Sequence, residues 1–312
     1  MNPTRFPAAL LFFILALSFT VNAAATTLAG ISRDEFAAIL ESISGRIKIV
    51  SSDERFVPPE PTAEPEYRDP NFIYFGSHII PKIADIPLNR YTNSFFEKDE
   101  NGRISYIDPT VHITHGIDVS IWQEDIDWQR VASDGIDFAI IRAAYRGYTV
   151  GAISEDVNFQ KNIDGAIEAG LDVGLYVFSQ AITPAEAVEE AEFVLRMLDG
   201  RPAKYPIVFD WEDVGSKTAR TYDMDGDLLT DCAIAFCERI KAAGYTPCVY
   251  SYLSLTYLSY DIERLTPYDF WLAQYNPVPT YYYDFTMWQY TSAGTVDGIK
   301  GNVDMNICFK KY

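Results

Sequence analysis

The chain has 312 residues, 48% of them hydrophobic and 14% aromatic, and a formal net charge of −19. That length and apolar content can bury one barrel-sized core with a smaller appendage. The negative charge excludes nucleic acid as a partner, because phosphate binding needs a basic face.

The three histidines are His78, His112 and His115, with none further on. The main body therefore lacks material for a Ser-His-Asp triad, a Cys-His pair or a multi-histidine metal centre. Its four cysteines, Cys232, Cys237, Cys248 and Cys308, form no Cys-x-x-Cys, which argues against a thiolate zinc site, and sequence leaves their pairing open. Any chemistry must run on carboxylates. The 21 tyrosines and 5 tryptophans suit either a sugar binder or a Tyr-rich core, and composition does not separate the two.

The N-terminus reads as an export signal over residues 1–25. Arg5 is followed by a 14-residue apolar run at 8–21 and by small residues at Ala23, Ala24 and Ala25. The run is shorter than the roughly 20 residues a membrane span needs, though an uncleaved anchor stays open. Residues 26–110 form an N-terminal extension holding 8 of the 17 prolines. Ser32 and Glu35 make a capping-box pattern ahead of Phe36, Ile39, Leu40 and Ile43 on one helical face. VPPEPTAEPEYRDP at 57–70 reads as an extended linker, and 91–107 as a hairpin around Asp99 to Gly102. Whether this extension packs on the main domain is not legible.

From residue 111 to 312, strand and helix patterns alternate. Strands are expected at 115–120, 137–145, 172–180, 205–212, 246–253, 269–275, 284–290 and 303–309. Helices are expected at 124–135, 157–170, from Pro184 through Leu198, and at 227–243. The last gaps are too short for helices. The fold class is therefore α/β: a modified TIM-like β/α barrel of eight strands, with helices missing after the later strands and a small N-terminal appendage. A doubly wound sheet is the competitor, but no Gly-x-Gly-x-x-Gly stands at a strand-to-helix turn. DMDGD at 223–227 lacks the remaining ligands of a calcium loop and reads as a helix N-terminal approach.

Barrel active sites form at the C-terminal ends of the strands. Asp118 closes the first strand, Asp210 and Glu212 close the fourth, and Asp304 lies in the last, beside the first if the barrel closes. Asp210 and Glu212, two apart on a strand, face the same way. Juxtaposed acids raise one another's pKa, and cleaving a glycosidic bond needs one protonated and one ionised carboxyl. Solvated loop acids are the plainer alternative. Tyr176, Tyr250, Trp271, Tyr275, Trp288 and Tyr290 at the same strand ends are candidate sugar platforms, each also readable as core.

The ordered set GIDVS (116–120), FAIIRAAY (138–145), GLYVF (174–178), VFDWE (208–212), WLAQY (271–275) and WQYTSAGTVDGIKGNVDMN (288–306) resembles glycoside hydrolase family 25, the Chalaropsis-type lysozymes, over roughly residues 113–309. The resemblance implies a modified barrel and N-acetylmuramidase activity on peptidoglycan, outside the cytoplasm, with no cofactor or metal. It implies Glu212 as general acid/base and Asp210 orienting the substrate's acetamido group or stabilising the cation. Asp118 and Asp304 would shape the field and bind substrate. Retention through the acetamido oxygen is the favoured route. The expected partner is the peptidoglycan glycan strand. No membrane contact is expected once the signal is removed, and oligomeric state stays open. Since many cell walls are anionic, the acidic charge means affinity must come from contacts in a cleft.

Two rivals remain at this point. Chitinase-like or other N-acetylhexosamine hydrolases also use an Asp-x-Glu pair, usually with an aspartate two before it, where this chain has Val208. A non-catalytic glycan-binding module is the other.

Overall fold

The computed structural model describes residues 69–312. The expected signal segment, the 32–43 helix and the linker up to residue 68 lie outside the described residues. Asp69–Tyr312 forms one compact unit, so residues 69–110 share it with the barrel. Among the described residues no helix is long and apolar enough to cross a membrane.

Two small hairpins come first: β1 (Phe72–Phe75) with β2 (His78–Pro81), and β3 (Phe96–Lys98) with β4 (Ile104–Tyr106). The second turns where Asp99 and Gly102 were expected to reverse the chain. The Asp99 carboxylate accepts the backbone N–H of Asn101 and Arg103, and Gly102 takes a positive φ of 86°.

Eight strands then close a barrel: β5 (Thr114–Val119), β6 (Phe138–Arg146), β8 (Asp172–Ser179), β9 (Ile207–Trp211), β10 (Pro247–Tyr252), β11 (Asp269–Ala273), β12 (Met287–Gly294) and β13 (Val303–Cys308). The short β7 (Ile153–Glu155) folds back on β6. All eight overlap the segments expected from sequence, with β12 running later, over Met287–Gly294 rather than 284–290. Seven run parallel, whereas β13 pairs antiparallel with both β12 and β5. Only residues 295–302 separate β12 from β13, too few for the helical crossover a parallel return requires.

The helices Trp128–Ser133, Phe159–Glu168, Pro184–Leu198 and Gly226–Ala242 follow the earlier strands, and only Leu253–Leu258 and Ile262–Leu265 follow β10. Local chemistry sets their starts. Thr183 caps Pro184–Leu198 by accepting the N–H of Glu186. Asp225, inside the DMDGD run, caps Gly226–Ala242 by accepting from Asp227 and Leu228.

Where helices are missing, residues 83–106 cover the late strands instead. Leu88 bridges to Tyr283, Tyr91 stacks on Phe309 at 4.0 Å, and Phe96 meets Trp288 edge-on at 5.3 Å. Residues 83–106 are thus part of the wall of the barrel unit.

Inside the barrel, Phe138, Ile140, Val208, Cys248, Trp271, Met287 and Cys308 pack together. Phe138 stacks on Tyr205 at 4.1 Å, a fit that requires Gly116, since a Cβ there would meet the Phe138 ring at 2.2 Å. All four cysteines are buried free thiols.

Candidate active site

The reversed last strand brings its first residues to the mouth formed by the last residues of the other seven. Asp304 accordingly stands directly opposite Asp118 in the β13–β5 pairing. Asp210, the penultimate residue of β9, points inward, Trp211 ends the strand in the outer core, and Glu212, one residue beyond, returns to the mouth. The four acids sense one another. Asp210 feels the charges of Glu212, Asp118 and Asp304, and Asp304 feels those of Asp118 and Glu212.

Burial and crowding shift all four upwards. Burial pushes Asp118 up to about 6, against the pull of hydrogen bonds donated by Asn306 and Gln289. Glu212 is pushed up to about 7 by burial and then by the Asp118 charge. Asp304 rises to about 8 through burial and the same neighbour. Asp210, 5% exposed, lies well above the carboxylate range through burial, Glu212 and Asp118, and Arg142 opposes that rise. The Arg142 guanidinium is itself bound to the buried Asp156 at 2.7 Å, so it relieves the mouth only in part. At neutral pH the cluster retains protons. It can therefore supply both a proton donor and a negative charge.

The aromatic candidates divide. Tyr176 lies partly buried in the mouth, within reach of the charges of Arg142, Asp118, Asp210 and Asp304. Tyr275, 54% exposed, sits on the rim and donates its hydroxyl to Gln289 Oε1 at 2.9 Å. Tyr250 and Trp271 are buried in the floor. Tyr250 donates to Gln289 Oε1 at 3.0 Å, and the Trp271 indole N–H donates to Asn306 Oδ1 at 2.8 Å.

Trp288 and Tyr290 correct the sequence expectation. With Gln289 pointing inward on β12, its two neighbours point outward. Trp288 packs on Phe96 and donates its indole N–H to the Gln274 carbonyl. Tyr290 is buried in the outer core against Met305. Neither can be a sugar platform.

Arg142, Gln289 and Asn306 escaped the sequence reading: the first two are polar residues at inward positions of largely apolar strands, and Asn306 shares the inward face of β13 with Asp304. So did Gln180, which follows β8. Its buried amide Nε2 donates to the Glu212 carbonyl at 2.9 Å, and its Oε1 accepts from Thr221 at 2.7 Å. Arg220 donates to the Gln180 carbonyl and pairs with Glu186 at 2.6 Å, anchoring this segment to the Pro184–Leu198 helix. The backbone that carries Glu212 is thereby held from the β8 side. Trp122 was also missed. It is 62% exposed in the turn after β5, at the same end of the barrel.

Comparison with known proteins agrees with this geometry. The family model for glycosyl hydrolases family 25 matches residues 117–299. The uncharacterized protein YegX of Escherichia coli (strain K12) is 32% identical over 208 residues, covering 64% of this chain and 71% of YegX. Lysozyme M1 of Streptomyces globisporus is 30% identical over 205 residues, covering 61% of this chain and 66% of that lysozyme. Among solved structures, the bacterial lysozyme from Streptomyces coelicolor superposes with a TM-score of 0.52 at 27% identity, covering 62% of this chain and 90% of that one. The chain belongs to glycosyl hydrolase family 25 and is a lysozyme-type glycoside hydrolase.

Proposed function

We propose that this hydrolase acts outside the cytoplasm on peptidoglycan, cutting the β-1,4 bond from N-acetylmuramic acid to N-acetylglucosamine with retention of configuration. The carrying observation is Glu212, a mouth carboxyl raised to about 7 by burial and by Asp118. That value lets it give a proton at neutral pH and take one back.

In this reading Glu212 donates its proton to the glycosidic oxygen as the C1–O bond breaks. The acetamido carbonyl oxygen attacks C1 from the opposite face. Glu212 then removes a proton from the water that opens the resulting oxazolinium ring at C1, and two inversions give net retention. Asp210 suits the orienting role: its buried Oδ1 has no partner among the described residues and can accept the acetamido N–H. Asp118 and Asp304 hold the field around the developing cation. Tyr176 and Tyr275 are the aromatic faces left open to a sugar ring, above a floor of Tyr250 and Trp271. The aromatic faces beside the acids support affinity through cleft contacts, which the overall charge of −19 requires.

The test is mass spectrometry of products from purified peptidoglycan, with chitin in parallel. Muramic acid at the new reducing end is expected. Glucosamine there would make the protein a glucosaminidase, and faster cleavage of chitin would move it to the chitinase-like class.

A further inference from the structure

We propose that Asn306 and Gln289 are positioning residues that hold Asp118 in its ionised form, and that this fixed negative charge keeps the working proton on Glu212. The inference rests on Glu212 being the acid and adds how its proton is kept in place.

The orientation of Asn306 follows from a donor that has no choice, and that of Gln289 from the two hydroxyls and the carboxylate that face it. An indole N–H can only donate, so the atom of Asn306 facing Trp271 must be Oδ1, which turns Nδ2 towards Asp118. Gln289 Oε1 takes the hydroxyls of Tyr250 and Tyr275, which turns Nε2 the same way. Both amides then donate to one atom, Asp118 Oδ2, at 2.8 Å each. Two N–H bonds donated to one carboxyl are stronger when it is charged than when it is neutral, so the arrangement favours the carboxylate against the pull of burial. Asn306 is 1% exposed and Gln289 3%, so water has little access to replace either donor.

A charge fixed on Asp118 acts on what stands around it. Asp304 lies directly opposite on the antiparallel neighbour, where two like charges repel. Glu212 feels Asp118 as its main charged neighbour. The other ionisable groups that interact with Glu212 are Asp210 on β9, Tyr250 and Tyr252 from β10, Tyr275 just after β11 and Asp304 from β13, and Arg142 from β6 and Tyr176 from β8 act on Asp210 beside it. Strand β12 contributes only the neutral Gln289. Of the four acids, Asp118 is the least elevated, as this arrangement demands.

Two measurements test the proposal. In the wild-type protein labelled with ¹³C at the Asp and Glu carboxyls, and assigned with Asp118→Asn and Glu212→Gln, Asp118 is expected to ionise before the other three. Asp118 keeping its proton above the pH at which Glu212 loses its own overturns the proposal. In Gln289→Met and Asn306→Leu, which keep volume and remove the donors, the alkaline limb of kcat/KM is expected to fall by about one pH unit as Asp118 loses its preference for the charged form. Activity reduced equally at every pH, with that limb unmoved, assigns the amides a packing role only and also overturns it. The carboxyl titration needs no variant of either amide, so poor folding of those two proteins leaves it decisive. Full activity of Glu212→Gln would sink the choice of acid while leaving the titration order of Asp118 to be read independently.

Discussion

The two ends of the barrel are built on opposite principles. At the end where the parallel strands begin, opposite charges are paired: Lys310 holds Asp269 at 2.8 Å and Lys204 holds Asp172 at 2.5 Å. Tyr312 adds its hydroxyl to Asp269 and lays its ring against Tyr205, which stacks on Phe138. At the other end four acids converge, and Arg142 near them is already committed to Asp156. One end minimises free energy, and the other holds protons and charge in an arrangement that folding alone would not favour. The difference teaches where function lies, because unrelieved electrostatic cost is tolerated where chemistry needs it.

Substitutions at each end should separate the two. The largest effect is expected at the closed end. Phe138→Ala empties a fully buried ring site and should cost about 3–5 kcal/mol by denaturant unfolding, with kcat little changed in the protein that stays folded. Next, Glu212→Gln should lower turnover by roughly 10²-fold or more while glycan binding and the melting temperature persist. Unchanged turnover would remove Glu212 from the mechanism.

A pH effect comes third. The folded-state pKa values of Asp118, Glu212 and Asp304 are raised, to about 6, 7 and 8. Unfolded carboxyls lose their protons near pH 4, earlier than these do, so rising pH favours the unfolded chain. The stability linked to them is complete below about pH 4 and is lost as pH climbs to about 8. Melting temperature should therefore be several degrees lower at pH 8 than at pH 5, and Asp304→Asn should flatten that slope. An equal slope in the variant would show that the fall comes from overall charge. The smallest effect is expected from Lys310→Ala, which breaks a half-exposed pair and should cost at most about 1 kcal/mol.

Much of the fold was legible because period-2 and period-3.6 patterns were strong from residue 111 onward, and all eight barrel strands overlap the segments where they were read. The position of the four acids at strand ends was equally open to sequence reasoning. The aromatics were harder. Trp288 and Tyr290 flank Gln289 on a strand covered on both faces, and a two-sided apolar strand does not reveal which parity looks inward. The 91–107 hairpin was legible from its turn, but its place as a cover on the late strands was not, since that rests on contacts such as Tyr91 on Phe309. Gln289 and Arg142 did leave a trace, a polar residue in an apolar run, and Asn306 left one as the second polar residue on the face of Asp304. Gln289 and Asn306 take their meaning from Asp118, 171 and 188 positions away, and Arg142 from a carboxylate cluster assembled across strands.

The backward course of β13 has a consequence for mutational tolerance. A strand that alternates Asp304 and Asn306 with Val303 and Met305 presents either two polar groups or two apolar ones to the cavity, depending on a shift of one position. Shortening the 295–302 link by a single residue should thus exchange acid and amide for valine and methionine together. Deletions there are expected to silence the enzyme outright, whereas the same deletion within the exposed tip at 147–152 should leave measurable cleavage.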